Sequence, residues 1–229
     1  MKDERNERNE LTPLWRLALW TVDPISRFAF KIRFVDADKL PAAGPGVLAS
    51  NHISALDPII IAILPVRRGR QIRFLGGAEF FRRRFIGRPL RALEQIPIER
   101  GAHDTDAVDR AVAVARRGAL VALFPEGRVN NEPDLLRGRR GAVRIAAASG
   151  APLIPAGIWG TQVRYPRSGF TLRRPWRPTV VVVVGEPMPV SADSGSAEGT
   201  LETTNELMSR IEALRNRAKD LAGPKGFPR

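Results

Sequence analysis

The chain reads as a single α/β domain with a mixed, largely parallel sheet flanked by helices, preceded by an amphipathic helical segment. Three observations predict this. Strand-like and helix-like segments alternate along the 229 residues, as in repeated βα units. Several strand-like runs, such as Ala119–Leu123 and Leu153–Ile158, are apolar almost throughout, the signature of strands buried on both faces. A hydrophobic content of 43% over this length suffices for one substantial core, and no internal repeat divides the chain.

The elements follow in order. Residues 1–10 (Met-Lys-Asp-Glu-Arg-Asn-Glu-Arg-Asn-Glu) are charged and polar, unlike a signal peptide, and read as a disordered start. Residues 11–35 form the amphipathic segment: Leu11, Leu14, Trp15, Leu17, Leu19, Trp20, Val22, Ile25, Phe28 and Phe30 are interrupted by Arg16, Asp23, Pro24, Arg27 and Lys31. No run approaches the roughly 18 to 20 apolar residues needed to span a bilayer. An in-plane membrane anchor is the reading this composition suggests, and a helix packed on the domain with its tryptophans in the core stands beside it. The acyclic remainder, residues 36–229, is expected to be the folded domain, with strands at Val47–Ser50, Ile72–Gly76, Gln95–Glu99, Leu120–Phe124, Leu153–Ile158 and Thr179–Val184. Helices are expected at Pro58–Leu64, Ala107–Arg116, Ala142–Ala148 and Leu201–Leu221, the last with a stripe of Leu201, Met208, Ile211, Leu214, Ala218 and Leu221. Residues 190–199, rich in Ser, Ala and Gly, read as a loop.

One short motif carries chemistry. In Asn51-His52-Ile53-Ser54-Ala55-Leu56-Asp57, one of only two histidines stands five residues before a carboxylate. Neutral imidazole, with an ordinary pKa of about 6.5, accepts a proton near neutral pH, and a carboxylate beside it fixes the tautomer and stabilises the imidazolium. On a regular helix, five residues would place the two about 140° apart, so a turn is the geometry that lets them touch. Asp57 before Pro58 also fits a helix N-cap, and Ser54 three residues earlier fits a capping box, an ordinary reading of the same residues.

Three further blocks flank this one. Phe124-Pro125-Glu126-Gly127 closes a buried strand, where ligand sites of α/β sheets form. Ile96-Pro97-Ile98-Glu99-Arg100-Gly101 ends a short strand in a cation, and Pro152-Leu153-Ile154-Pro155-Ala156-Gly157 is another short apolar strand. By themselves these residues have plain explanations as strand ends, turns and surface charges. His103-Asp104 resembles a metal-binding dipeptide, but Asp104 reads better as a helix start.

Composition narrows the chemistry. The absence of cysteine removes thiol nucleophiles, disulfides and cysteine zinc sites. No glycine-rich nucleotide loop and no Gly-x-Ser-x-Gly elbow occur, so neither nucleotide-driven chemistry nor a serine-elbow nucleophile has support. The net charge of +13 seeks anions. Within residues 67–100, ten arginines face Glu79, Glu94 and Glu99, a net of +7, and Phe80-Phe81-Arg82-Arg83-Arg84-Phe85-Ile86 mixes rings with cations as an interfacial segment does. A solvated face or a nucleic-acid clamp has the same composition, though no RNA- or DNA-binding motif accompanies it.

Taken together over residues 47 to 160, the four blocks resemble the glycerophospholipid acyltransferase family, and the combination of His-x-x-x-x-Asp with Phe-Pro-Glu-Gly is specific to it. The resemblance implies that His52 is the general base and Asp57 its orienting acid, with Asn51 and Ser54 in the frame of the motif. It further implies that Arg100, with Glu99, and then Glu126 and Gly127 serve the acceptor, and that Pro155 belongs to a block linked to acyl-donor binding or strand geometry. Where the common form continues Thr-Arg-Ser, this chain has Arg128-Val129-Asn130, so its arginine is displaced by one residue. In the glycine- and arginine-rich stretch 137–141, Arg139 is the closest match to a basic residue of the family, placed to help hold a phosphate, and a solvated loop is an equal reading.

The resemblance implies an enzyme that moves a fatty acyl group from acyl-CoA or acyl carrier protein to a hydroxyl of lysophosphatidic acid or a related lysophospholipid, on the cytoplasmic face of the cell membrane. No metal or redox cofactor is expected, and no nucleic acid. The partners are an anionic membrane surface, the acyl donor and the lysolipid. A non-phosphorylated lyso-aminolipid or glycolipid acceptor, and a non-catalytic basic nucleic-acid-binding protein, are the alternatives.

Overall fold

A computed structural model describes residues 11–99, 105–130, 135, 137–166, 169–171, 176–190, 194 and 196–223. The polar start at 1–10 and the motif residue Arg100 lie outside the described residues. Seven strands, β1 (Lys31–Val35), β2 (Gly46–Ser50), β3 (Ile72–Gly77), β4 (Ile96–Ile98), β5 (Leu120–Leu123), β6 (Leu153–Trp159) and β7 (Thr179–Val184), form one sheet in the order β1-β7-β6-β2-β5-β3-β4. All neighbours are parallel except β6 and β7, so five strands run one way while β7 and β1 run the other.

The expected strands all form within a residue or two of the boundaries read from sequence, and one more appears. Residues 31–35 are strand β1, paired with β7 from Lys31↔Thr179 to Val35↔Val183. The amphipathic helix therefore ends at Ala29 and does not run to residue 35, and a domain boundary at 36 cuts through the sheet. The reason is visible in Lys31-Ile32-Arg33-Phe34-Val35: its polar–apolar alternation has the period of a strand, and Phe30 leaves helical backbone at φ −138°.

Helix α1 (Pro13–Ala29) starts at Thr12, whose hydroxyl accepts from the Trp15 N–H at 3.3 Å, with Pro13 in the first helical position. It divides its apolar residues. Trp15 is buried against the core with α2 (Asp57–Arg67) on one side of the sheet, whereas Leu17, Trp20, Ile25 and Phe28 form an exposed stripe, Trp20 at 77% and Phe28 at 67%. Packed helix and apolar surface are thus both present. Among the described residues, no helix is long and apolar enough to cross a membrane.

Helices α5 (Thr105–Arg116), α6 (Gly141–Ser149) and α7 (Ala197–Ala222) cover the opposite side. Alternation in β2 serves both layers: Leu48 faces the core with α2, while Val47 and Ala49 face α5 and α6. In α7 the deepest line is Thr200, Thr204, Leu207, Ile211, Arg215 and Ala218, displaced from the expected stripe, in which only Ile211 and Ala218 are fully buried. Two threonines join it because their hydroxyls bond back to helix carbonyls, Thr204 to Thr200 at 2.6 Å. The helix crosses β6 at Gly157, where a Cβ would lie 2.3 Å from the Arg215 nitrogen; only glycine admits that approach.

Two short helices, α3 (Ala78–Arg82) and α4 (Arg84–Ala92), hold the aromatic and arginine-rich segment. Phe81 turns inward to 6% exposure, Phe85 stands out at 88%, and the Arg83 guanidinium lies 5.7 Å from the Phe80 ring centroid.

Candidate active site

The carboxyl ends of β2 and β5 are adjacent, with Ala49 opposite Leu123 in register, so the segments that follow them meet although about 70 residues separate them. His52 from the first segment and Phe124-Pro125-Glu126-Gly127 from the second share one site. A cleft of about 1860 Å³ opens there, larger than the roughly 300–1,000 Å³ of a common ligand pocket and so able to take two substrates at once. Its lining is mostly apolar, with Trp15, Leu19, Ile59, Ile63, Phe74 and Phe81 among its residues, and it also includes Arg83, Glu99 and Arg139.

His52 lies on this wall with its side chain 12% exposed, and its Nδ1 is 2.9 Å from Asp57 Oδ2. The contact sequence spacing predicted is made across a turn. Asp57 is not the N-cap of its helix, however: Leu56 holds that position, and the carboxylate points back to accept the Ile53 and Ser54 N–H groups at 2.7 and 2.8 Å. Its other oxygen accepts the Thr161 hydroxyl at 2.5 Å. Four donors thus converge on a carboxylate with no exposed surface, compensating its lost hydration. Because a carboxylate offers only acceptors, the neutral imidazole carries its proton on Nδ1, which leaves Nε2 as the nitrogen that can accept another.

Several motif residues brace this turn from behind the cleft. Asn51, fully buried, exchanges two hydrogen bonds with the backbone of Ile158, donating to its carbonyl at 3.0 Å and accepting its N–H at 2.8 Å. Ser54 donates to the Tyr165 carbonyl at 2.9 Å. Glu126, 4% exposed, accepts the His52 backbone N–H at 2.8 Å and the Asn130 side-chain amide at 2.9 Å, while the Asn130 N–H donates to the His52 carbonyl at 2.6 Å. Pro155 is buried in β6 opposite Ala49. These four, expected as substrate contacts, have their polar atoms turned into the protein or, for Pro155, lie inside the sheet, and none is among the cleft-lining residues.

The remaining candidates sit at the rim. Gly127 turns the chain at φ +71° and lets the Arg139 side chain pass, since a Cβ there would fall 2.6 Å from Arg139 Nε. Arg139 itself lines the cleft, whereas Arg128 is exposed and outside its lining. Glu99 lines the cleft and pairs with Arg82 at 2.6 Å. Among the described residues no group of three His, Cys, Asp or Glu side chains is placed to hold a metal ion.

Sequence reasoning missed three contributors. Phe124 stacks on His52 with ring centroids 4.0 Å apart and planes 12° apart, and Phe74 stacks behind it at 5.9 Å. Asn130, noted only as a departure from the common motif, ties the two loops together. Thr161 carried no local signal at all, standing 104 residues from the aspartate it serves.

An acyltransferase family profile matches residues 31–159, from the first residue of β1 to the last of β6. The chain is 29% identical over 194 residues to the 1-acyl-sn-glycerol-3-phosphate acyltransferase of Bacillus subtilis, covering 83% of this chain and 91% of that protein. It is 30% identical over 146 residues to a chloroplastic 1-acyl-sn-glycerol-3-phosphate acyltransferase of Arabidopsis thaliana, covering 62% of this chain but only 40% of that longer protein. The fold is similar to the crystal structure of the 1-acyl-sn-glycerophosphate acyltransferase PlsC of Thermotoga maritima, with a TM-score of 0.66 over 96% of this chain and 86% of that one, at 18% identity. With a match over more than half its length that contains both the histidine turn and its neighbouring loop, the chain belongs to the acyltransferase family.

Proposed function

We propose that the protein transfers a fatty acyl group from a thioester, on coenzyme A or acyl carrier protein, to the hydroxyl of 1-acyl-sn-glycerol-3-phosphate or a related lysophospholipid. The observation that carries this reading is the His52–Asp57 pair at the wall of a large, mostly apolar cleft. Supporting it, the relatives of most similar length act on that lysophospholipid by name.

In this reaction His52 Nε2 takes the proton of the acceptor hydroxyl as its oxygen attacks the thioester carbonyl, and Asp57 holds the resulting imidazolium through Nδ1. The tetrahedral intermediate then expels the thiolate, which recovers the proton from the imidazolium. The fatty chain lies along Trp15, Leu19, Ile59 and Ile63, an apolar wall continuous with the histidine. Arg139, at the Gly127 turn, faces the acceptor phosphate.

The protein works at the cytoplasmic face of the cell membrane. Supporting this are the exposed stripe of α1 and the exposed Trp176, which packs edge-on against Phe28 with centroids 5.6 Å apart. Roughly 1.5–3 kcal/mol per buried apolar side chain, added to the attraction of the +13 charge for anionic lipid, holds it in plane without a spanning helix.

The test is a mass-spectrometric assay of the full chain with acyl-coenzyme A and acyl carrier protein donors against lysophosphatidic acid, other lysophospholipids and a non-phosphorylated lysolipid, beside His52→Ala. Acyl transfer to lysophosphatidic acid, reduced at least about 10²-fold by the substitution with folding unchanged, supports the proposal. Equal turnover by the variant removes it, and transfer confined to the non-phosphorylated acceptor replaces the acceptor named here.

A further inference from the structure

Three long-range hydrogen-bond contacts tie the end of β6 and the turn after it to the histidine turn: Asn51 with Ile158, Ser54 with the Tyr165 carbonyl, and Asp57 with Thr161. The first two join side chains to backbone. The third differs in kind, because a hydroxyl with no exposed surface meets the carboxylate oxygen that the imidazole does not use. Thr161 is delivered there by Gly160 at φ +109°, where β6 breaks into a short turn whose Arg164 and Tyr165 N–H groups bond back to the Thr161 carbonyl. Its backbone and its hydroxyl are therefore both committed, and it does not line the cleft.

We infer that Thr161 is a positioning residue for the proton-accepting pair, a third member that acts on His52 through Asp57. This rests on the acyltransfer reading of the same site. The physical argument concerns charge. Two backbone N–H groups and the imidazole crowd Oδ2, and the threonine hydroxyl is the donor that draws negative charge toward Oδ1. It also stops the carboxylate from rotating about its last bond, so Oδ2 stays in the imidazole plane. Without the hydroxyl, charge concentrates on the oxygen facing the imidazole, the imidazolium is held more tightly, and the base remains protonated to higher pH.

The other ionisable groups of the site come from neighbouring elements: Glu126 after β5, whose carboxylate accepts the His52 backbone N–H, and Tyr165 after β6 and Arg139 before α6, which line the same cleft as the histidine. None of these changes between the variants that matter, Thr161→Val, which removes the hydroxyl and keeps the shape, and Thr161→Ser, which restores the hydroxyl. The chain has only two histidines, so ¹⁵N-histidine NMR of the full protein follows His52 directly, with His103 as internal reference.

The expected result is that His52 in Thr161→Val titrates about half a unit to one unit higher than in the parent protein, with the Nδ1 proton resonance displaced. In parallel, kcat at neutral pH falls several-fold and recovers toward alkaline pH, with KM for both substrates unchanged, and Thr161→Ser returns both readouts to the parent values. A purely structural threonine would lower activity equally at every pH, in step with lost folded protein. If Thr161→Val does not fold, Thr161→Ala serves in its place. An unmoved His52 titration in the folded variant, or a shift that serine fails to reverse, overturns the inference. Because the NMR readout needs no turnover, a wild-type protein inactive toward every acyl donor would defeat the proposed reaction without deciding the role of Thr161.

Discussion

The Phe124 ring covers one face of the His52 imidazole, 4.0 Å away and nearly parallel. In the proposed reaction a cation forms on that imidazole, and a ring face attracts a cation by roughly 0.5–2 kcal/mol. Phe124→Leu keeps an apolar side chain of similar reach but removes the π face. Its kcat should fall by about three- to thirtyfold, with thermal stability little changed because Phe124 is only partly buried. Steady-state kinetics together with a melting curve check this; unchanged kcat would show that the stack only fills space.

Glu126 predicts a different pattern. As it accepts from the His52 backbone and from Asn130, Glu126→Ala leaves two donors without their carboxylate in a buried place, at about 1–3 kcal/mol each. The expected outcome is a fall in melting temperature with a fall in kcat. A residue that touched the acceptor would instead raise acceptor KM and leave the melting curve in place, so calorimetry beside acceptor titration distinguishes the two.

The crossing of α7 over β6 is equally open to test. Gly157→Ala puts a methyl 2.3 Å from the Arg215 nitrogen and the Leu214 carbonyl carbon, both backbone atoms that cannot turn aside. Overpacking of this kind costs about 1–3 kcal/mol or more, so chemical denaturation should show a clear loss of stability, with activity per folded molecule retained.

For the α1 stripe, the combined Trp20→Ala and Phe28→Ala variant should keep the parent's melting temperature, since both side chains are already exposed in the folded protein. Partitioning onto anionic liposomes should fall by at least about tenfold, given roughly 1.5–3 kcal/mol for each buried ring. Flotation with and without added salt measures this, and equal partitioning by the variant would place the lipid contact elsewhere.

Local order was enough for much of this molecule. Strands β2, β5, β6 and β7 are nearly continuous apolar runs, and the His52–Asp57 contact spans five residues, close enough for the turn alone to make it. The strand at Lys31–Val35 was obscured because it follows an apolar helix without a loop, and α4 because Arg84 to Ala92 carries glycine, proline and three arginines instead of a helical stripe. Asp57 left the N-cap position because its carboxylate answers to Thr161 and the backbone of its own turn, and the stripe of α7 shifted because Thr200 and Thr204 bury hydroxyls that bond back along the chain.

The sequence by itself determined the fold class, the histidine–aspartate turn and the family, because each depends on apolar runs or on residues within reach of one another along the chain. Only the tertiary structure decided which motif residues face the cleft and which stand behind it. Asn51 meets Ile158 and Asp57 meets Thr161 across more than 100 residues, and such contacts exist only because parallel pairing brings the ends of β2, β5 and β6 to one edge of the sheet.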